Sequence, residues 1–319
     1  MPGRGADGMT VLRLAGERVA CAVLPLGAAL HTLEVRQDGR WRNLVLSRPD
    51  PGDVDGSLFG ATVGRVANRI GDARFGLDGV VHALARNDGR HHLHGGPDGF
   101  GCRRWEVLDH TPGSVALRLV SPDGDQGYPG RLEVTATFSL LPDGAQVVYT
   151  ATTDAPTPVN LSIHPYLALG GPLAGHRVSV HAGRYTPTRA DDIPTGEIAA
   201  VDGTPLDLRR GAALGPTLAA LADTGLARAG GLNHNLLVDG EGLREQVRVT
   251  GPDGLTVVVC SDAPAVQLYS GEHLGRRGLA VEPQDCPDAV NHPAFGSVIL
   301  RPGRTWTRTI QWLVEAPSW

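Results

Sequence analysis

Several features that usually decide what a protein touches are scarce in this chain. It has no basic block: 29 lysines and arginines against 34 aspartates and glutamates leave a formal net charge of -5. That argues against nucleic acid and anionic membranes as partners. No apolar run approaches the length needed to span a bilayer. The N-terminal stretch lacks a clean hydrophobic segment and a convincing cleavage site, so a cytoplasmic location is expected. Cysteine is rare and dispersed, at Cys21, Cys102, Cys260 and Cys286, with no C-x-x-C pair. Reduced, mostly buried thiols fit that spacing better than a disulfide frame or a zinc site. Asn160-Leu161-Ser162 matches a glycosylation acceptor, but a cytoplasmic protein does not meet that machinery. There is no repeat of fixed period and no composition break that marks a domain boundary.

Turn formers, by contrast, are plentiful: 43 glycines and 24 prolines are spread over 319 residues. Short extended runs lie between them, at Val11 to Leu14, Val19 to Leu24, Ala29 to Arg36 and Trp41 to Leu46. Asp-Gly recurs at Asp78-Gly79, Asp143-Gly144, Asp239-Gly240 and Asp253-Gly254. Aspartate bonds its own backbone and glycine supplies a positive φ, so the dipeptide marks hairpins. The clearest are Leu132 to Leu140 with Ala145 to Thr153, and Gln246 to Thr250 with Leu255 to Cys260. One helix is expected over Pro216 to Arg228, stopped by Gly230-Gly231, and a single helical turn within Gly60 to Ile70. The pattern predicts an all-β chain of stacked antiparallel sheets: a loose tail over residues 1–9, then one domain over residues 10–319.

Polar residues gather in six places. Glu282 closes the apolar run Leu279, Ala280, Val281 ahead of a proline-rich loop. A carboxylate aimed by a buried strand is a candidate general base; the alternative is a surface turn with solvated acids. Gly60 to Ile70 carries Asn68 and Arg69, donors for a polyhydroxylated or anionic ligand. In His91-His92-Leu93-His94-Gly95-Gly96, extended backbone would place His92 and His94 on one face. Three histidines suggest a metal, yet no H-E-x-x-H or cysteine partner completes a zinc set, so a neutral, hydrogen-bonding imidazole is the preferred reading. Ser121 to Gly130 holds Tyr128 between glycine and proline, either as a platform for a sugar ring or as an anchor for its loop. Alternation puts Asn160, Ser162 and His164 on one face of a strand. Asn233-His234-Asn235 enters an apolar strand.

Together these residues resemble the aldose 1-epimerases, or galactose mutarotases. The matches run in order: G-R-x-x-N-R-I at Gly64 to Ile70, L-H-G-G at Leu93 to Gly96, and S-P-D-G-x-x-G-Y-P-G at Ser121 to Gly130. N-L-S-x-H-x-Y follows at Asn160 to Tyr166, then H-N at His234-Asn235 and E-x-Q-x-x-P-D-x-x-N-H-P at Glu282 to Pro293. Leu300-Arg301-Pro302-Gly303 is the last. The resemblance implies a large antiparallel β-sandwich, the galactose mutarotase-like supersandwich, with a sugar cleft and no cofactor or metal. It implies Glu282 as general base and His164 as general acid, with Arg69, His94 and Asn68 binding the sugar. Asn233 stands where the family usually has aspartate, so its binding role is carried over with a change from acceptor to mixed amide. His91, Ile163 and Pro165 are further departures.

The activity so implied is α/β anomer interconversion of a free aldohexose such as glucose or galactose, by acid/base ring opening and closure in a monomer or homodimer. A rate profile rising with ionisation of Glu282 and falling with loss of the His164 proton is expected. Three other readings compete. A modified or phosphorylated sugar would want a basic pocket beyond Arg69, for which Arg65, Arg103 and Arg104 are candidates. A non-catalytic carbohydrate-binding protein should have lost the acid or the base. A glycoside hydrolase needs two carboxylates about 5 to 9 Å apart, and Glu282 has no evident second.

Overall fold

The computed structural model describes residues 10–52 and 58–316; the expected tail over residues 1–9 lies outside the described residues. Its largest element is a nine-stranded antiparallel sheet. Leu132–Leu141 and Gly144–Thr153 form its long hairpin around Pro142-Asp143, and Trp306–Glu315 pairs with Gly144–Thr153 on the other side. Alternation sets the inner face. Leu132, Val134, Ala136 and Phe138 are fully buried, as are Val147, Tyr149, Ile310 and Trp312, while the intervening residues are more open. Arg244–Thr250 and Thr256–Ser261 make the second expected hairpin. A four-stranded sheet begins the chain, with strands Leu12–Ala15, Val19–Leu24, Ala29–Gln37 and Arg40–Asn43. The main apolar core draws on residues from Leu12 to Val314.

A six-stranded sheet carries the site. Its order is Tyr166–Leu167, Leu279–Gln284, Ala265–Tyr269, Asn233–Leu237, Arg184–Tyr185, Ala199–Ala200. One face presents Leu236, Val266, Leu268, Leu279 and Val281 to the main core. The period of two then forces Asn233, Asn235, Gln267, Tyr269 and Glu282 onto the other face. Pro283 is tolerated inside its strand because Tyr166–Leu167 pairs only as far as Ala280, leaving one neighbouring strand beyond that point.

Two expectations about helix differ from the structure. The helix is Leu214–Asp223, the one α-helix among the described residues. It ends where Thr224 caps the last carbonyls and Gly225 turns left-handed at φ 69°, well before Gly230-Gly231. Gly60 to Ile70 contains no helical turn. Thr62–Val63 pairs with Ser162–Ile163 and Arg69–Ile70 with His92–Leu93, so cross-strand pairing overrides the local signal. Among the described residues no helix is long and apolar enough to cross a membrane.

Candidate active site

The outer face of the six-stranded sheet floors a cleft of about 240 Å³. Glu282, Gln267, Asn233 and Tyr269 rise from the strands. Tyr166 comes from the first strand of the sheet, Arg69 from the short Arg69–Ile70 strand, and loops bring Asn68, His94 and His164; Leu58 and His273 also line the cleft. Gly95 makes the loop closure possible. Its φ is 87°, and a Cβ there would sit 1.7 Å from the Gly64 carbonyl oxygen, so only glycine lets the two loops meet.

At the centre, His164 Nε2 lies 3.4 Å from Glu282 Oε1. Both side chains are buried. His164 Nδ1 and Glu282 Oε2 have no hydrogen-bond partner among the described residues. Burial without compensation disfavours charge on either group. It pushes the Glu282 carboxyl up to about 8 and brings the His164 imidazole down to about 4. Burial therefore favours the uncharged forms of both groups over an ion pair. The alternation of Asn160, Ser162 and His164 around the Ser162–Ile163 strand fixes this meeting. Ser162 Oγ donates to Pro283 O at 2.8 Å. The Asn160 amide clasps the Asp285 backbone from both sides, accepting at 2.9 Å and donating at 3.3 Å. Each second residue thus pins the chain that leaves Glu282.

The remaining groups are mostly hydrogen-bond donors toward the cleft. His94 Nδ1 accepts the Asn68 backbone N–H at 3.1 Å, so the ring proton sits on Nε2. Burial, then the nearby His164 and Arg69, hold this imidazole well below its ordinary range. Asn68 Oδ1 accepts the Arg69 N–H at 2.8 Å. Arg69 Nε donates to Asp88 at 2.6 Å, and a second nitrogen lies 3.5 Å from Asp192. Gln267 Nε2 donates to Asn233 Oδ1 at 2.6 Å.

Six of the seven residues expected in the site therefore line one cleft: Glu282, His164, Arg69, His94, Asn68 and Asn233. Tyr128 does not. Its ring is buried against Phe75, and its hydroxyl bonds His92 Nε2 at 2.8 Å. It anchors the loop and presents no face to a sugar. The expectation that His92 and His94 share a face also fails, because His94 adopts φ 51° and leaves the extended path. His91 turns instead to the Asp72 N–H and to Asp191. His234 faces the core side, where Nδ1 accepts the Asn233 N–H and Nε2 meets Leu226 O. Gln267, Tyr269, Tyr166, Leu58 and His273 were not anticipated. For the first two a signal existed: Ala-Val-Gln-Leu-Tyr interrupts an apolar strand at alternate positions.

Glu282, His94 and His164 offer ligand atoms within 4.8 Å of one another. They do not suit a metal as arranged. The Asn68 N–H occupies the His94 Nδ1 lone pair, which leaves Nε2 protonated and unable to ligate.

The aldose 1-epimerase sequence pattern matches residues 10–312. The chain belongs to the aldose 1-epimerase family. It is 35% identical to galactose mutarotase of Bos taurus, over 96% of this chain and 94% of that one. It is 33% identical to aldose 1-epimerase of Escherichia coli K12, over 88% of each. Among solved structures, an aldose epimerase homologue from C. elegans superposes with a TM-score of 0.88 at 28% identity, covering 97% of this chain and 99% of that one. Galactose 1-epimerase from Lactobacillus acidophilus gives 0.86 at 26%, covering 100% and 98%. As an aldose 1-epimerase family member the chain has the mutarotase-like β fold that its motifs implied. Of the departures, Ile163 is absorbed by the core, whereas Asn233 stands in the cleft itself.

Proposed function

We propose that this protein interconverts the α and β anomers of a free aldohexose of the glucose or galactose type. The observation that carries the reading is the Glu282–His164 pair at the cleft floor, 3.4 Å apart and buried. Ring opening removes a proton from the anomeric hydroxyl and delivers one to the ring oxygen. Glu282 and His164 supply one acceptor and one donor, and their joint proton count is unchanged across the step. Rotation about the bond between the first two carbons exposes the other carbonyl face, and closure with the roles exchanged gives the other anomer. Glu282 as base and His164 as acid corresponds to the charged arrangement of the pair. Burial favours its neutral tautomer. His94 Nε2–H is placed to stabilise charge developing on a sugar oxygen, and Arg69 holds a hydroxyl through its planar fork.

The phosphorylated-sugar reading lacks its basic pocket. Arg65 spends all five donors on Ser121, Pro122, Pro129 and Thr157. Arg103 is paired with Asp98 and Asp125. Arg69 is flanked by two carboxylates, so a dianion would meet little net positive charge. A hydrolase would need a second carboxylate, and Glu282 is the one carboxylate among the described residues that line the cleft. Four free cysteines, three of them buried, support a reducing cytoplasmic setting.

Polarimetry on freshly dissolved α-glucose and α-galactose tests the proposal, with wild type and Glu282→Gln side by side. Wild type should speed the approach to anomeric equilibrium and the variant should not. A wild-type trace that matches the buffer blank for both sugars would sink the reading.

A further inference from the structure

The sheet surface beside Glu282 has a fixed hydrogen-bond polarity. Asn235 lies directly across from Gln267, and Gln267 directly across from Glu282, in one row over three strands. Asn233 is the diagonal neighbour of Gln267 on the same face. The 2.6 Å bond from Gln267 Nε2 to Asn233 Oδ1 turns the asparagine's acceptor toward the sheet. What remains on Asn233 is Nδ2, a donor only.

The orientation of Gln267 has its own support. Gln267 is 5% exposed, and its Oε1 has no partner among the described residues; nor has the buried Nδ2 of Asn235. Both residues also line a chamber of about 10 Å³ behind the cleft, together with Thr186 and Thr188. That is about the space of one water molecule. A water there can donate to Gln267 Oε1 and accept from Asn235 Nδ2. Turning the Gln267 amide over would set two acceptors, Gln267 Oε1 and Asn233 Oδ1, against each other unless Asn233 turned with it and swung its Oδ1 into the cleft. The other wall groups agree in polarity. Asn68 Oδ1 is occupied by the Arg69 N–H, Arg69 can only donate, and His94 presents Nε2–H.

We infer that Gln267 is a positioning residue that holds Asn233 with its Nδ2 toward the sugar, so this wall donates hydrogen bonds and selects aldoses with an acceptor at the ring position it meets. The inference rests on the anomer-interconversion reading and adds to it a substrate class. Sugars whose hydroxyl there is replaced by fluorine, a weak acceptor that cannot donate, should be tolerated better than those with hydrogen.

The test compares glucose with its 3-, 4- and 6-deoxy and deoxyfluoro analogues, each rate taken relative to its own buffer rate. At one position the wild-type kcat/KM for the fluoro sugar should exceed that for the deoxy sugar by about three- to tenfold, the reach of one hydrogen bond. Asn233→Asp presents an acceptor instead, and should reverse that order at the same position. Gln267→Met frees the asparagine to turn, and should bring the ratio toward one while glucose is still turned over. A merely structural role for Gln267 would lower all rates together and leave the ratio alone. Deoxy sugars matching or beating fluoro sugars at every position in wild type would overturn the inference, as would Asn233→Asp keeping the wild-type order. Should Asn233→Asp not fold, the Gln267→Met ratio decides: collapse supports the inference and an unchanged ratio refutes it. Failure of wild type on glucose itself is a separate result, and it removes the underlying reading before any analogue is tried.

Discussion

Two buried polar networks in this protein each include a histidine and have opposite character. Around Arg65, every side-chain donor is used. Its five N–H groups meet Ser121, Pro122, Pro129 and Thr157. Nearby, His92 Nδ1 bonds Ala85 O at 2.6 Å, and its Nε2 takes the Tyr128 hydroxyl at 2.8 Å. Around the cleft, His164 Nδ1, Glu282 Oε2 and Gln267 Oε1 are buried and have no partner among the described residues. Leaving such a group unpaired costs about 1–3 kcal/mol. The first network resembles an interior strut. The second leaves buried polar atoms unmatched around the Glu282–His164 pair. Both come from motifs of the same family pattern, so the pattern alone does not tell support from chemistry; hydrogen-bond satisfaction does.

The sharpest way to break this contrast is to exchange the expected effects. Glu282→Gln should lower kcat by about 10²- to 10⁴-fold, the usual worth of a positioned acid/base group, in the polarimetric assay. Its thermal stability should match or exceed wild type, because a desolvated ionisable group is gone. Arg65→Met should do the reverse. It strands buried carbonyls of Ser121, Pro122 and Pro129, and should lower unfolding stability by about 3 kcal/mol or more in a denaturant titration. Activity per folded molecule should stay near wild type at low temperature. A Glu282→Gln enzyme with full activity, or an Arg65→Met enzyme that is stable and inactive, would erase the distinction.

The pH dependence separates the networks further. Burial brings the His164 imidazole down to about 4 and pushes the Glu282 carboxyl up to about 8, so kcat/KM should form a bell with limbs near those two values. The acid limb then belongs to a second proton on His164 and the alkaline limb to loss of the Glu282 proton. That inverts the order expected from the sequence, and burial is the reason: it reverses which group is the stronger base. Stability follows the same logic. The Glu282 affinity is raised on folding, so its contribution is present below the unfolded value of 4.5 and is lost as pH rises through about 8. The His164 affinity is depressed, so its contribution is present above 6.5 and is lost as pH falls through about 4. Glu282→Gln should therefore gain stability over wild type mainly at alkaline pH, and His164→Gln mainly at acid pH. Urea midpoints across the pH range would check both; a gain for Glu282→Gln that shrinks at alkaline pH would contradict the raised affinity.

Much of the fold was legible because it is written locally. The hairpin at Pro142-Asp143 and the strand alternation of Leu132 to Leu141 are short-range patterns, and the structure keeps them. The central pair, Arg69 and His94 were legible through motifs. Gln267 was not. The alternation of Ala-Val-Gln-Leu-Tyr marks a polar face on its strand, but its place in the site comes from register against Glu282 and Asn235, which that local pattern does not encode. The helix end was misplaced because Thr224-Gly225 forms a sufficient stop ahead of the more conspicuous double glycine. The Gly60 to Ile70 stretch became two short strands because distant partners were available.

Tyr128 gives the finest test of the comparison. Between glycine and proline in a long turn, its ring looks like a surface platform. The structure buries it to 1% exposure in a small cluster with Phe75 and beside the Arg65 guanidinium. Burial raises its phenol far above the ordinary range, so the hydroxyl stays protonated and donates to His92. Tyr128→Phe removes that one bond and keeps the ring. It should lower stability by about 1 kcal/mol, with KM and kcat for α-glucose and α-galactose unchanged within about twofold, since a shift of that size is roughly the smallest that a lost sugar contact would leave. If KM rose while stability stayed level, Tyr128 would belong with the cleft, and the division between the satisfied and the unsatisfied network would have been drawn in the wrong place.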